Sequence, residues 1–170
     1  AAYHRLHFPS QMPTAIRDAF LQARTERRPV VLGIPFDLQN LPWEGDLTLP
    51  TPSQMLQNEP AALPPSETEL THAVDLISNA ERVVVFAGQG AVESKAGQAC
   101  RDLAAKTGGL LTTTLPARGL FHDDPFCIGI TGSFSTAVGL KCLQQADLIV
   151  AVGCSLAFHA GGGGQLWPNA

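Results

Sequence analysis

The chain has 170 residues, 45% of them hydrophobic and only 15% charged, with a formal net charge of -4. That is enough apolar material for a substantial core, which excludes a disordered chain. The 11 Lys and Arg never gather into a basic run, which excludes a nucleic-acid surface, and no apolar stretch approaches the roughly 20 residues that span a bilayer.

The N-terminus lacks the basic, apolar and small-residue succession of a secretory signal. Cys100, Cys127, Cys142 and Cys154 form no C-x-x-C pair and read as buried free thiols of a reducing, cytoplasmic compartment. Residues 1–12 show no periodicity. From Pro13 to about Arg27 the apolar positions Ile16, Ala19, Phe20 and Ala23 recur at helical spacing, with Ser10 as a candidate cap and Arg24, Arg27 and Arg28 near the negative pole. Pro29 closes that helix, and Val30 to Ile34 is a short buried strand stopped by Pro35. One helix and one strand cannot close a core by themselves. Between Gln39 and Ser66 six prolines without sustained periodicity predict an extended crossover between domains, with Trp43 placed to pin it to a domain surface.

Ser66-x-x-Glu69 is a capping box that opens a helix running to about Asn79, with Leu70, Ala73, Val74 and Ile77 as its apolar stripe. Val83 to Phe86, all β-branched or aromatic, suit a strand buried on both faces. It empties into Gly88-Gln89-Gly90, a loop that lets the backbone turn tightly and exposes amides, ahead of a helical pattern whose positive end would face the same spot. A helix through Ala96, Cys100 and Ala104 ends at Gly108-Gly109, where a left-handed cap is easy. Leu110 to Thr114 is a strand broken by Pro116, Ala117 to Phe126 a loop, and Cys127 to Ile130 a short strand ending at Gly132. Ser135 to Gln145 is a helix with Val138, Cys142 and Leu143 inward, and Asp147 to Gly153 is the clearest strand. Beyond Leu156 the pattern dissolves, and Gly161 to Gly164 read as a flexible surface loop.

This rhythm implies an α/β fold: a doubly wound parallel sheet, Rossmann-like and incomplete at its C-terminus, in a chain expected to be cut short at both ends. Ligands in such sheets bind beyond the carboxyl ends of the strands, which places Gly88 to Ala91, Thr114 to Gly119, Thr131 to Ser133 and Gly153 to Ser155 at the site. The dinucleotide fingerprint fails, because Glu93 stands at the third glycine position and Thr112-Thr113-Thr114 replaces an acidic strand end. There is no P-loop and no G-x-S-x-G elbow. His122-Asp123-Asp124 reads as a solvated turn, and the dispersed His4, His7, His72 and His159 each read as structural or solvent-facing. Arg118, followed by Gly119 at a strand end, suits either an anionic ligand or a surface salt bridge.

Several stretches resemble the thiamine-diphosphate-dependent enzymes of the acetolactate synthase type. Ile34-Pro35-Phe36-Asp37-Leu38-Gln39 is similar to the I-P-x-D-[VL]-Q end of that family's pyrimidine-binding domain. Ala80 through Ala91 resembles the start of the central domain, Leu115 to Gly119 one of its turns, and Ala146 to Gly153 its A-D-L-x-[LV]-x-[LV]-G strand. The resemblance implies residues 1–38 as the last helix and strand of the pyrimidine domain, 39–65 as the linker and 66–170 as the central domain.

It also implies a parent enzyme that decarboxylates or ligates 2-oxo acids with thiamine diphosphate and Mg, as a homodimer or homotetramer. The family's activating glutamate lies upstream of these motifs and its G-D-G…N motif downstream, so the fragment is expected to carry no catalytic or metal-binding residue and not to hold thiamine diphosphate. Carried over position by position, Gly88, Gln89, Gly90, Thr114, Arg118, Gly132 and Gly153 are the candidates for an FAD or ADP site in the central domain. FAD-binding relatives typically place an arginine soon after the glycine matching Gly153, whereas Cys154 to Phe158 follow here, which ranks an empty or adenine-nucleotide site ahead of FAD. A stand-alone nucleotide or flavin module and a purely structural, oligomerising domain are the alternatives.

Overall fold

A computed structural model describes residues 1–43, 48–56 and 63–170, and divides the chain into two compact units, Ala1–Leu63 and Pro64–Ala170. In the first unit β1 (Ala2–Arg5) lies parallel to β2 (Val30–Gly33), joined by helix α1 (Met12–Glu26). β1 falls in the stretch without periodicity and is a strand only through its pairing with β2. The α1 cap is Gln11, with no side-chain bond; Ser10 sits in a short 3-10 turn before it. Arg27 takes the left-handed conformation at the helix end (φ 48°), the position that usually goes to glycine.

The proline-rich stretch is not wholly extended. Two short helices, α2 (Phe36–Gln39) and α3 (Ser53–Leu56), border or interrupt it, and Ser53 is buried. The parts of the expected linker at 44–47 and 57–62 lie outside the described residues.

The second unit opens with α4 (Glu67–Asn79), where the capping box forms as the sequence predicts: Glu69 N donates to Ser66 Oγ, and Ser66 N donates to Glu69 Oε2 at 3.0 Å. There follow β3 (Val83–Ala87), α5 (Gln89–Glu93), α6 (Gly97–Thr107), β4 (Leu110–Thr113), β5 (Cys127–Ile130), α7 (Ala137–Gln145), β6 (Leu148–Val152) and α8 (Phe158–Gly161). The strands form one parallel sheet in the order β5-β4-β3-β6. Both neighbours of β3 run parallel to it, so the crossovers lie on the faces of the sheet. This is the doubly wound α/β arrangement.

All five β3 residues are buried, and their alternation serves two cores. Val83, Val85 and Ala87 pack with Cys100 and Ala104 of α6 and with Phe121; Val84 packs on the other side with Leu143 and Ala146. Phe86 meets Trp167 with ring centroids 6.0 Å apart. At the amino end of the sheet Asp147 accepts from the amides of Glu81 and Arg82, and these backbone bonds hold its carboxyl below the usual carboxylate range.

Two expectations are corrected here. Val138 faces outward (69% exposed) while Gly139 and Leu143 face in: Gly139 lies so close to the sheet that a Cβ there would stand 2.8 Å from Ile128 O, and Leu143 packs with Val84, which turns position 138 away. The glycine run is a set turn: Gly161 is buried against the Trp167 ring, and Gly162, Gly163 and Gly164 all hold φ between 58° and 89°.

Candidate functional site

A cavity of about 620 Å³ opens at the carboxyl ends of β3, β4, β5 and β6, in the roughly 300–1,000 Å³ range of small-molecule sites. Its wall is built from Gly88 and Gln89 after β3, Thr114 to Pro116 after β4, Thr131, Ser133 and Phe134 after β5, Gly153 to Ser155 after β6, and Ala157, His159 and Ala160 around α8. The wall is mostly apolar. Among the described residues, the ionisable side chains on it are Cys154 and His159.

Of the residues singled out in the sequence, Gly88, Gln89, Thr114 and Gly153 meet at this cavity. Gly90 lies just behind it, close enough that a Cβ there would stand 2.9 Å from Gly153 Cα. Gly132 (φ 93°) packs on the His159 carbonyl, supporting the wall from outside. Arg118 is exposed and off the cavity wall, its amide donating to Leu115 O at 3.2 Å.

The glycine loop has a specific local reason. Gly88 N donates to Val152 O, Gly90 N to Gly153 O and Ala91 N to Gly88 O, at 2.9, 3.0 and 3.0 Å. A Cβ on Gly88 would fall 2.2 Å from Gly153 O, and one on Gly153 would fall 2.3 Å from Ala91 N. The two loops interlock, and the space that their missing side chains leave is filled by each other's backbone.

Thr112 Oγ1 donates to Gly129 O at 2.8 Å and so accepts from Thr131 Oγ1 at 2.6 Å, which satisfies both hydroxyls. Thr114 differs. It is 9% exposed, and its buried Oγ1 has no hydrogen-bond partner. A buried hydroxyl without a partner carries a desolvation cost of about 1–3 kcal/mol, which a ligand group would relieve. Cys154 Sγ donates to Phe86 O at 3.0 Å, and burial pushes its thiol up to about 11, so at neutral pH it is neither nucleophile nor ready metal ligand.

The contribution of Phe134, His159 and Ala160 was not legible from motifs. Phe134 and Ser133 follow a strand end, a positional signal that pointed to Thr131–Ser133; His159 and Ala160 come from the stretch where periodicity ends.

Among the described residues, no carboxylate lines the cavity and no group of three His, Cys, Asp or Glu converges on a metal position. The residues here therefore do not fit a magnesium-bound diphosphate of thiamine. Among the described residues, no helix is long and apolar enough to cross a membrane.

With this geometry in hand, comparison with known proteins defines the class. Residues 70–170 match the family described as thiamine pyrophosphate enzyme, central domain, and the chain belongs to that family. Its relatives include the acetolactate synthase large subunit of Corynebacterium glutamicum, 33% identical over 85% of this chain and 23% of the relative. A probable acetolactate synthase 2, chloroplastic, of Oryza sativa subsp. japonica is 34% identical over 84% of the chain and 21% of the relative. A probable acetolactate synthase large subunit of Methanococcus aeolicus is 28% identical over 85% and 24%. The chain spans about a quarter of the length of these curated relatives.

Proposed function

We propose that the chain is the central-domain portion of a thiamine-diphosphate-dependent enzyme that decarboxylates or ligates 2-oxo acids in the manner of acetolactate synthase. The observation that carries this reading is the extent of the similarity. It covers 85% of the chain, beyond the 70–170 family match, and so takes in part of the first unit. In this reading residues 1–38 close a pyrimidine-binding domain and residues 39–65 link it to the central domain. The catalytic glutamate and the magnesium and diphosphate ligands are supplied by other parts of the enzyme, which assembles as a homodimer or homotetramer.

The cavity has its own place in this proposal, as an adenine-nucleotide site taking ADP or the ADP half of FAD. The unpartnered Thr114 hydroxyl supports an occupied site over an empty one. Gly88, Gln89 and Gly153 line it beside Thr114, and Gly90 and Gly132 hold its walls.

The test is CO2 release from 2-oxo acids by the whole enzyme, with thiamine diphosphate and Mg present or omitted. Turnover that requires both is the expected result. Turnover independent of thiamine diphosphate, or none with any 2-oxo acid, would sink the assignment.

A further inference from the structure

We infer that the cavity recognises its ligand by the neutral nucleoside portion and leaves any phosphates in solvent. This rests on the adenine-nucleotide reading above and narrows it.

A diphosphate held inside a parallel sheet needs cations or free backbone amides at the glycine loop. At the loop after β3 three of these amides are already taken. The amides of Gly88, Gly90 and Ala91 are bonded to backbone carbonyls of this same interlock, so phosphate oxygens there would have to break native hydrogen bonds. Among the described residues no Lys or Arg lines the cavity, and Arg118 is exposed and off its wall.

What the wall does offer suits an uncharged, flat, hydrogen-bonding group. Phe134 is 62% exposed at the cavity, an aromatic face free for a base to stack on. Leu115 and Pro116 supply apolar surface, and Gln89, Ser133 and Ser155 supply neutral polar groups. Thr114 adds the buried hydroxyl without a partner. Thr114 lines the cavity, so this hydroxyl is within the wall that a ligand would meet. Thr114 and Phe134 are thus assigned as the residues that determine specificity.

The experiment is calorimetric titration of the full chain with adenosine, ADP and inorganic pyrophosphate. Adenosine and ADP should bind within about threefold of each other, a difference well under the 1.4 kcal/mol of a tenfold step. Neither affinity should move more than about twofold between about 0.05 and 0.3 M salt, because no phosphate is paired with a protein charge. Pyrophosphate should give no heat and displace neither ligand.

Phe134→Ala, at an exposed position that leaves folding intact, should weaken both ligands about tenfold. Thr114→Val should weaken both about threefold to tenfold, with Thr114→Ser restoring affinity. ADP binding more than about tenfold tighter than adenosine, or displacement by pyrophosphate, would overturn this inference and leave the nucleotide site standing. No heat from adenosine or ADP would remove both.

Discussion

Helix α4 stands immediately before β3 and α6 follows it after the glycine loop and the short α5, and both carry an amphipathic pattern, yet only α6 buries residues in the core. α6 buries Gly97, Cys100 and Ala104 against β3 and Phe121; α4 buries nothing, and Leu70 and Val74 of its stripe are 53% and 51% exposed. The difference lies in what each face meets. α6 brings Leu103 as well as Cys100 and Ala104 against the core, while Leu70 and Val74 of the α4 stripe stay exposed. Hydrophobic periodicity therefore says that a face is apolar; it does not say what covers it.

The same chemical change on the two helices gives the sharpest contrast. Ala104→Asp puts a carboxylate at a 3% exposed position among Val83, Val85 and Leu111, and the cation one turn back, Arg101, is already engaged by Leu120 O, Asp123 and Asp124. A loss of roughly 3–5 kcal/mol is expected, the scale of an uncompensated buried charge, measured by denaturant unfolding of the chain. A loss below about 1 kcal/mol would mean that α6 is not docked as described.

Next in size is Arg101 on the same helix. Its Nη2 donates to Leu120 O at 3.0 Å and to Asp123 Oδ1 at 2.6 Å, and its guanidinium lies 5.2 Å from the centre of the Phe121 ring. The side chain thus ties the loop after β4 to α6, and the expected solvated turn at His122-Asp123-Asp124 is one end of that tie. Arg101→Ala should cost about 1–2 kcal/mol through the lost carbonyl bond and ring contact, and should speed amide exchange across residues 117–126. Unchanged exchange there would show that the loop is held by Phe121 alone.

On α4 the strongest local feature is the capping box, and Ser66→Ala should cost about 1 kcal/mol of helix stability. Glu69 gives the same effect through pH. Bonds from the Ser66 hydroxyl and amide hold its carboxyl below the ordinary value of 4.5. Its contribution is fully present above that ordinary value and is lost as pH falls through the lowered folded value, because the native carboxylate must then be protonated. Helical signal that fades on acidification, with Ser66→Ala already faded at neutral pH, is the expected pattern; no difference between the two proteins at neutral pH would show that the cap contributes nothing.

Features closed by neighbouring residues were legible in the sequence, and features closed by distant ones were not. The capping box spans Ser66 to Glu69, the left-handed end of α6 is set by Gly108 (φ 63°), and the burial of β3 follows from Val83 to Phe86; all three are as the sequence predicts. β1 was not legible, since Ala2 to Arg5 has no alternation and becomes a strand only beside Val30 to Gly33. The glycines were visible as punctuation, but the reason for Gly88 is Gly153, 65 positions away in sequence and in backbone contact in space. The site follows the same division: strand-end positions fall at the cavity, whereas Arg118 does not, and Phe134 enters it without any motif.

Val74→Asp tests the other half of the contrast and should have the smallest effect. The position is 51% exposed and α4 is an acidic helix, with Glu67, Glu69 and Asp75 on it. Added charge at such a site usually moves stability by no more than about 0.5 kcal/mol, and the carboxylate stays hydrated. Asp at a helix interior carries a lower propensity than Val by a few tenths of a kcal/mol at most, which sets the expected sign as slightly destabilising. The measurement is the unfolding midpoint of Val74→Asp beside that of Ala104→Asp. A loss at Val74 above about 1 kcal/mol would show that the Leu70, Val74 and Ile77 face is covered in solution, and would erase the distinction between the two helices.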